Sequence, residues 1–448
     1  ASVTLVEKAE VGGTCLNWGC IPTKTIKASA EALESANRLA EFGIVSDDGG
    51  NSRFRADMAS IVARKERVRK VLCTGLEKSC ASLKVRLVRG QAELASGRTV
   101  LVRTADGTEE IRSDAVIIAT GSKILDLPSL PVDHKHIINS DDALNLDHVP
   151  ARMVIVGGGV IGCELAFIFR AFGADVTVVE GLDRLLPIPS VDEDMSRLLQ
   201  REAKKHGLRV ELAKTVKSAT VADGKVTCVL GPSPFVPGAS GPETAIEADM
   251  VLVAVGRTPN SAGMKLAEAG VETDARGWIK ADGGMRTTAE GIYAIGDVLG
   301  PARVMLAHMA SAEGLCAVAN CFGENRVLDN SVIPAGIFTS PEIGTVGLSE
   351  SEARKQGFAV RSQVFQFREL GKAQAMGELP GMFKLVCEEG SGRILGAHIA
   401  GAHATDLVAE AALAMQKGFS AADIAHTIHA HPTLAEGLYE AAEGWLRG

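Results

Sequence analysis

Short apolar runs that end at glycines or acids alternate with helical patterns over most of the chain. Apolar residues recur at helical spacing in Ile26–Phe42 and in residues 52–81, so both stretches are predicted to be helices. Apolar runs that stop at glycine are typical of buried parallel strands. Such alternation of strands and helices predicts an α/β fold with parallel sheets. The strand-like runs are Ala1–Lys8, Asp114–Thr120, Met153–Val156, Asp175–Glu180, Met250–Val255 and Gly291–Ile295.

The pattern changes after Ser331 to an α+β style, in which strand-like pieces follow one another with few helices. We therefore predict a separate C-terminal domain. Its helical pieces are Ser349–Gln356 and Ala404–Gly418. Its predicted strands are Ala335–Phe338, Gly344–Leu348, Arg361–Phe367, Met382–Cys387 and Ile394–Ala400.

Composition narrows the class of protein. With 448 residues the chain is too long for one core, and 48 glycines fit a turn-rich α/β protein. The net charge of −8 with no basic block argues against nucleic acid as a partner, and no apolar run has membrane-spanning length. The nine cysteines are odd in number and thinly spread, with no metal-binding spacing. We therefore expect a reducing compartment, the cytoplasm.

A dinucleotide-binding motif begins at the end of the strand Met153–Val156. Gly157 permits a tight turn, Gly159 lets the backbone approach a pyrophosphate, and Gly162 lets the following helix pack on the strand. Glu180 ends the next strand, 23 residues past Gly157, where a carboxylate binds a ribose hydroxyl and repels a 2′-phosphate. The motif thus predicts NAD rather than NADP, although the nearby Arg184 weakly favours the other choice.

Two cysteines, Cys15 and Cys20, lie five positions apart just before a predicted helix. A thiol at a helix N-terminus has a lowered pKa, because the exposed N–H groups stabilise the thiolate. On a regular helix the two Cα atoms would lie ~8.6 Å apart, beyond the ~7 Å limit for a disulfide. A bonded pair therefore requires a distorted turn, which Gly19 permits. Spacing alone leaves open that both are unrelated core cysteines.

The segment around this pair reads Gly-Gly-Thr-Cys-Leu-Asn-Trp-Gly-Cys-Ile-Pro-Thr-Lys and ends at Lys24. It resembles the redox-active disulfide of the pyridine nucleotide-disulfide oxidoreductases, most closely that of members that oxidise dihydrolipoamide. The resemblance implies that Cys15 attacks the disulfide substrate and that Cys20 lies beside the flavin. Lys24 would lie near the flavin ring. Trp18 departs from the family pattern, where this residue is often smaller.

The same resemblance implies an FAD site spread over several segments. Glu7 would bind the ribose of FAD, although alone it reads as a solvated strand end. Asp297, at a strand tip, would bind the ribityl chain, the alternative being a turn-capping aspartate. The first strand and glycine-rich turn of this unit are missing before Ala1. The remaining implied FAD contacts are Gly13, Thr14, Lys24, Thr120, Gly121, Leu306, Ala307 and His308.

The NAD site implied by the family includes a glutamate that faces the nicotinamide and pairs with the lysine after the disulfide. The matching residues are Glu164 and Lys24. On its own, Glu164 would be an ordinary charge on a helix surface. The remaining implied NAD contacts are Gly157, Gly159, Ile161, Gly162, Glu180 and Gly256.

The tail phrase His429-Ala-His431-Pro-Thr-Leu-Ala-Glu436 resembles the acid–base motif of the family. His431 would move the proton between the substrate thiol and Cys15, and Glu436 would hold one ring nitrogen. In the family this pair acts on the disulfide of a second, identical subunit. The stretch Val408–Met415 would then pack on that partner.

Together these features predict two Rossmann-like dinucleotide-binding domains, for FAD and NAD, and a C-terminal α+β dimerisation domain. The implied reaction is oxidation of dihydrolipoamide, or of a lipoyl-bearing protein, by NAD⁺ through the Cys15–Cys20 disulfide and FAD. The predicted segments are 1–148 (FAD, first part), 149–272 (NAD), 273–328 (FAD, second part) and 329–448 (interface).

Other functions remain open. A mercuric-reductase-like enzyme would have a cysteine pair in its tail, and residues after Glu436 contain none. A glutathione-reductase-like enzyme would prefer NADPH, which Glu180 opposes. A flavin-less fragment with a binding or structural role is the alternative of another class.

Overall fold

The computed structural model describes residues 1–46 and 53–448. The predicted start of the second helix, residue 52, lies outside the described residues, and this helix begins at Met58 after its N-cap Asp57. In chain order the first segment contains β1 (Thr4–Glu7), α1 (Gly13–Asn17), α2 (Cys20–Asn37), α3 (Met58–Ser82), β2 (Arg86–Arg89), β3 (Gln91–Leu94), β4 (Thr99–Thr104), β5 (Gly107–Arg112), β6 (Val116–Ile118), β7 (Ser122–Ile124), β8 (Ile137–Ile138) and α4 (Ser140–Ala143).

The first helix after the cysteines differs from its predicted bounds. It begins at Cys20 rather than Ile26, since Pro22 fits the first turn of a helix, and α2 ends at Asn37. A 3₁₀ turn, Leu39–Phe42, follows and stops at Gly43, whose φ of 74° is left-handed. The periodic pattern thus continued through two separate elements.

The second segment folds around a parallel sheet in the order β11-β10-β9-β15-β8. An antiparallel sheet, β12-β13-β14, lies beside it, and residues 233–243 connect the last two of these strands. A short glycine turn connects strand β9 directly to helix α5, as in a dinucleotide-binding unit. The elements are β9 (Arg152–Val156), α5 (Val160–Ala171), β10 (Asp175–Val179), α6 (Glu193–Lys205), β11 (Arg209–Glu211), β12 (Lys214–Ala222), β13 (Lys225–Pro232), β14 (Thr244–Ala248) and β15 (Met250–Val253).

The chain then returns to the first segment. Strand β16 (Arg257–Pro259) pairs antiparallel with β7, and β17 (Ile292–Ala294) pairs parallel with β6. Strand β1 pairs parallel with β2. A 3₁₀ turn (Gly296–Leu299) and α7 (Ala307–Cys321) follow.

The C-terminal segment is built on an antiparallel sheet in the order β18-β19-β22-β21-β20. Helices α10 and α12 cover it, and their small residues, such as Ala411 and Ala441, are fully buried against it. The elements are β18 (Ala335–Ile337), β19 (Glu342–Gly347), α8 (Glu350–Lys355), β20 (Val360–Gln366), a 3₁₀ turn (Phe367–Glu369), α9 (Gly371–Met376), β21 (Met382–Glu388), β22 (Ile394–Gly401), α10 (Ala404–Gln416), α11 (Ala421–Ala425) and α12 (Glu436–Arg447).

One expectation about this segment is wrong in part. Val408, predicted to pack on a partner subunit, is 3% exposed and belongs to the core of its own domain. Helix α10 is amphipathic, so Val408 and Ala411 face the sheet while Leu413, 60% exposed, lies on the opposite face. Only that opposite face is free for a second subunit.

Among the described residues, no helix combines the length and apolar character needed to span a membrane.

Candidate active site

The two cysteines lie on either side of a helix break. Cys15 is in the short helix α1, and Cys20 is the first residue of α2, with Trp18 and Gly19 between the two helices. A Cβ atom on Gly19 would lie 3.0 Å from the carbonyl oxygen of Thr14. A side chain at this position would therefore crowd the turn, and glycine leaves room for the break.

The environment shifts the pKa values of the two thiols in opposite directions. A hydrogen bond from the Cys15 thiol lowers the pKa of the Cys20 thiol to about 6, and the nearby Lys24 ammonium lowers it further against the effect of burial. The same hydrogen bond keeps the proton on Cys15 and raises the pKa of that thiol well above its usual range. In the reduced form Cys20 is thus the thiolate and Cys15 the thiol.

Asn17 braces the loop in front of the cysteines. Its Nδ2 donates to the carbonyl oxygens of Val11 (3.2 Å) and Gly13 (3.0 Å). Its Oδ1 accepts hydrogen bonds from Arg69 (3.0 Å) and from the Cys73 thiol (3.3 Å) on α3. This buried amide fixes the redox turn against α3, a role that the sequence reasoning missed because nothing in the local spacing indicates it.

Lys24, one turn into α2, contacts Glu164 of α5. Its Nζ lies 2.9 and 2.8 Å from the two carboxylate oxygens. Glu164 is 4% exposed, and its Oε1 also accepts the backbone N–H of Phe338 at 2.9 Å. The structure therefore brings together the lysine and glutamate that the resemblance paired, and it adds Phe338 from the C-terminal segment.

The glycines of the dinucleotide motif show why each is needed. Gly157 has a φ of 109°, and a Cβ there would lie 2.4 Å from the carbonyl oxygen of Ala254. A Cβ on Gly162 would lie 1.9 Å from the carbonyl oxygen of Gly157. At Gly159, the N-cap of α5, nothing lies within 4 Å, so the backbone there is open to a ligand at the positive end of the helix.

Glu180 lies just after β10, and two backbone N–H groups hold its carboxylate, one from the glycine turn and one from the residues that follow Glu180. Its Oε2 accepts the N–H of Gly158 at 2.6 Å, and its Oε1 accepts the N–H of Leu182 at 2.7 Å. Arg184, the base that weakly favoured NADP, donates to the carbonyl oxygens of Ile188 and Val191 and to Ser196. Its guanidinium is thus engaged by its own loop and by the first turn of α6.

Asp297, which was predicted to bind the ribityl chain, lies in the 3₁₀ turn after β17. Its Oδ2 accepts the Ser122 hydroxyl at 2.7 Å, and Arg257 Nε donates to that hydroxyl oxygen at 2.6 Å. The arginine therefore directs the hydroxyl proton towards the carboxylate. Ser122 and Arg257 belong to β7 and β16, and neither was among the predicted site residues.

The other predicted FAD residues lie at turns and helix ends. Glu7, at the end of β1, accepts the N–H of Ala9 at 2.8 Å. Gly121 has a φ of 69°, and Asn260 donates to the carbonyl oxygen of Thr120. The remaining residues are Gly13 and Thr14 at the start of α1, Leu306, Ala307 and His308 at the start of α7, and, on the NAD side, Ile161 in α5 and Gly256 before β16.

The tail histidine is oriented by its predicted partner. His431 Nδ1 lies 2.8 Å from Glu436 Oε1, while the N–H of Thr433 donates to Glu436 Oε2. These contacts, the Thr433 N–H first, lower the pKa of Glu436 and keep it ionised. The His431 side chain is 76% exposed, so most of the ring surface is accessible from outside its own domain. His429, by contrast, is buried against Glu410 and Tyr439.

A thiol pair at a helix start, a partly buried lysine–glutamate pair and a dinucleotide loop on such a fold are typical of a two-electron disulfide oxidoreductase. Residues 1–314 match the family model of the pyridine nucleotide-disulphide oxidoreductases, and residues 333–442 match that of their dimerisation domain. The chain belongs to this family. FAD and NAD are accordingly its cofactors.

Individual relatives narrow the comparison. The dihydrolipoyl dehydrogenase of Haloferax volcanii is 40% identical over 99% of this chain and 91% of its own length. That of Geobacillus stearothermophilus is 38% identical over 98% and 90%. The crystal structure of LpdA from Mycobacterium tuberculosis is similar with a TM-score of 0.88 and 26% identity, covering 99% of this chain and 93% of LpdA.

Proposed function

We propose that the chain is a flavin-dependent enzyme that oxidises dihydrolipoyl thiols with NAD⁺. The observation that carries the proposal is the redox turn, where Cys15 lies just before a helix that Cys20 starts, and where Lys24, one turn further along that helix, pairs with Glu164. The curated relatives that share the whole length of the chain bear the matching name. The lipoyl group is carried by free lipoamide or by a lipoyl-bearing protein.

The donor groups present fit FAD. Asp297 has one carboxylate oxygen bound by Ser122 and the other available for a ribityl hydroxyl. Lys24 places a cation beside Cys20, and the N-terminus of α7 presents free N–H groups. Glu7, Gly13, Thr14, Thr120 and Gly121 would hold the rest of the cofactor, and Leu306, Ala307 and His308 would line it. When bound, the flavin carries two electrons from the thiols to the nicotinamide.

The chain's own residues account for the thiol chemistry. His431 takes the proton of the first substrate thiol, and the resulting thiolate attacks Cys15 Sγ, which breaks the Cys15–Cys20 bond. Cys20 leaves as a thiolate, which its low pKa favours. The second substrate thiolate then attacks the mixed disulfide and forms the lipoyl disulfide, and Cys15 leaves with a proton. Two electrons have then moved from the substrate to the cysteine pair.

The nucleotide half of the proposal rests on the motif around α5. Gly157, Gly159, Ile161, Gly162 and Gly256 would shape the NAD site. Glu180 would bind the adenosine ribose, and Glu164 would face the nicotinamide. Because Arg184 is held by its own loop, no cation from it is available for a 2′-phosphate.

We also propose that a second subunit completes the active site. The chain carries the dimerisation domain of its family, which supports a homodimer. His431 is exposed in its own subunit and oriented by Glu436, so it is placed to serve the thiols of a partner. The proposed segments are 1–148 and 273–328 for FAD, 149–272 for NAD and 329–448 for the interface, and the proposed location is the cytoplasm.

An anaerobic absorbance experiment tests the proposal. The purified protein should be yellow, and dihydrolipoamide should produce a long-wavelength thiolate-to-flavin charge-transfer band because Cys20 becomes a thiolate. The Cys20→Ser variant should stay yellow without this band. A yellow protein that responds to NADH alone would exclude the lipoyl substrate, and a colourless one would exclude the flavoenzyme.

A further inference from the structure

One residue of the C-terminal domain, Phe338, contacts the lysine–glutamate pair directly, and it lies just after β18. Its backbone N–H donates to Glu164 Oε1 at 2.9 Å. Its ring centroid lies 4.3 Å from Lys24 Nζ, within cation–π range. Phe338 therefore contacts both members of the lysine–glutamate pair, one through its backbone and the other through its ring.

The charges around Lys24 come from three segments. Glu164 on α5 binds the ammonium directly, and Cys20 lies four residues before Lys24 on α2, where the ammonium lowers the pKa of its thiol. Lys27 lies 5.9 Å from the same ring and pairs with Glu342 of β19 at 3.3 Å. The ring thus lies near two cations. The further acid near Lys27 is Glu31.

We propose that Phe338 is a positioning residue that holds the Lys24 ammonium where it stabilises the Cys20 thiolate. The inference rests on the proposed role of Cys20 and extends it to a residue of another domain.

An aromatic ring suits this task better than another carboxylate. A carboxylate holds an ammonium but also cancels its field at the thiolate, and Glu164 indeed acts to raise the pKa of Cys20 while Lys24 lowers it. The ring attracts the cation through its quadrupole and adds no net charge. Lys24 can therefore be fixed without losing its effect on the sulfur.

Phe338→Leu removes the ring but keeps the backbone N–H that Glu164 accepts. In the reduced holoenzyme we expect the pKa of Cys20 to rise by about half a pH unit, as expected for loss of one cation–π contact. The measurement is the pH dependence of Cys20 alkylation by iodoacetamide, followed residue by residue with mass spectrometry. Phe338→Tyr keeps the ring and should keep the wild-type pKa.

Two further proteins separate this role from a structural one. Phe358→Leu removes a ring that lies 5.3 Å from Arg393, far from the redox turn, and should leave the titration of Cys20 unchanged. A ring-fluorinated phenylalanine at position 338 keeps the shape but weakens the quadrupole. It should raise the pKa as leucine does, even if the leucine variant folds poorly.

The possible failures are distinct. An unchanged Cys20 titration in both the leucine and the fluorinated proteins would overturn the role of Phe338. If Cys20 in the wild-type protein titrates like an ordinary cysteine, the proposed redox centre itself is wrong, whatever Phe338 does.

Discussion

At the scale of the residue, the proposed role of Glu180 in choosing NAD over NADP rests on one carboxylate. One of its oxygens accepts the N–H of Gly158 in the glycine turn and the other accepts the N–H of Leu182, while Arg184 donates to other residues. In Glu180→Ala the ribose loses a charged hydrogen-bond partner and a 2′-phosphate is no longer repelled. We expect the NADH-to-NADPH ratio of kcat/KM to fall about 10- to 100-fold. Steady-state kinetics with both nucleotides measure it.

Glu180→Gln provides the control for that change. It keeps one acceptor oxygen but lacks the charge, so part of the preference should be lost. The melting temperature should fall modestly, because one of the two backbone N–H groups then faces an amide NH₂ instead of an acceptor. An unchanged nucleotide ratio in both variants would remove Glu180 from the proposed NAD site.

The residues that the sequence revealed are those whose partners lie nearby in the chain or in a fixed motif. His431 and Glu436, and the glycines of the dinucleotide turn, belong to this group. Phe338 and Glu164 are 174 residues apart, and Asn17 and Cys73 are 56 apart. Such contacts depend on how domains pack, which no local period or spacing encodes.

At the scale of the element, the start of α5 has two glycines with different roles. Gly162 allows close packing of the helix on the turn, and Gly159 leaves the backbone open. Gly162→Ala would place a Cβ 1.9 Å from the carbonyl oxygen of Gly157, so the turn must move and the NAD domain should be destabilised. Gly159→Ala meets nothing within 4 Å, and its φ of −74° suits any residue. We expect this second variant to melt normally but to have a KM for NADH raised tenfold or more, because a methyl group obstructs the pyrophosphate.

The two substitutions control for each other, since they add the same methyl group within one motif. Thermal melting and NADH kinetics, measured on both variants, distinguish a loss of stability from a loss of nucleotide binding. A normal KM in a well-folded Gly159→Ala protein would mean that no pyrophosphate approaches the N-terminus of α5.

Element types were predictable from apolar periodicity, but element ends were less so. The apolar residues from Ile26 to Phe42 follow one helical period. The periodicity therefore did not predict that the helix ends before Arg38 and that a separate 3₁₀ turn follows. Amphipathic α10 was assigned to a partner, although Val408 faces its own sheet. A pattern identifies an apolar face, but it does not say which surface covers that face.

At the scale of the whole molecule, Lys384 joins the NAD and C-terminal domains. Its ammonium, with a side chain 5% exposed, lies 2.9 Å from Asp192, 2.6 Å from Asp194 and 3.0 Å from Glu350. Lys384→Met removes the cation that these three carboxylates share and leaves their negative charges close together without a partner at a largely buried site. We expect a loss of about 3–5 kcal/mol in stability, measured by denaturant unfolding. Lys214→Met, which breaks a more exposed pair with Glu211, should cost under about 1 kcal/mol.

The same cluster predicts a pH dependence. Although burial alone would raise it, hydrogen bonds from Ser362, Arg354 and Lys384 lower the pKa of Glu350 to about 2. A lowered carboxyl pKa contributes stability that is complete above the unfolded value of ~4.3 and is lost as the pH falls towards 2. The stability difference between wild type and Lys384→Met should therefore shrink over this range, and a constant difference would contradict the ion cluster.

Mixed dimers test the proposed shared active site most directly. Cys20→Ser and His431→Gln homodimers should each lack lipoamide activity. If His431 serves the partner's thiols, a mixed dimer of these two variants has one intact site, formed by Cys20 of one subunit and His431 of the other. Dimers isolated with two different affinity tags should then show about half of the wild-type activity. If each site lies within one subunit, they should show none.

The reciprocal mixture provides the control. Wild-type chain paired with the double variant Cys20→Ser/His431→Gln has the same numbers of intact and substituted residues, but the intact pair lies within one subunit. The shared-site arrangement predicts no lipoamide activity, because the intact Cys20 then faces a substituted His431, whereas sites within one subunit predict about half. Oxidation of NADH by an artificial acceptor needs no His431 and should persist in both mixtures through the unsubstituted Cys20 subunit. The two mixtures must therefore give opposite results, which separates the arrangement of the site from any general effect of the substitutions on folding.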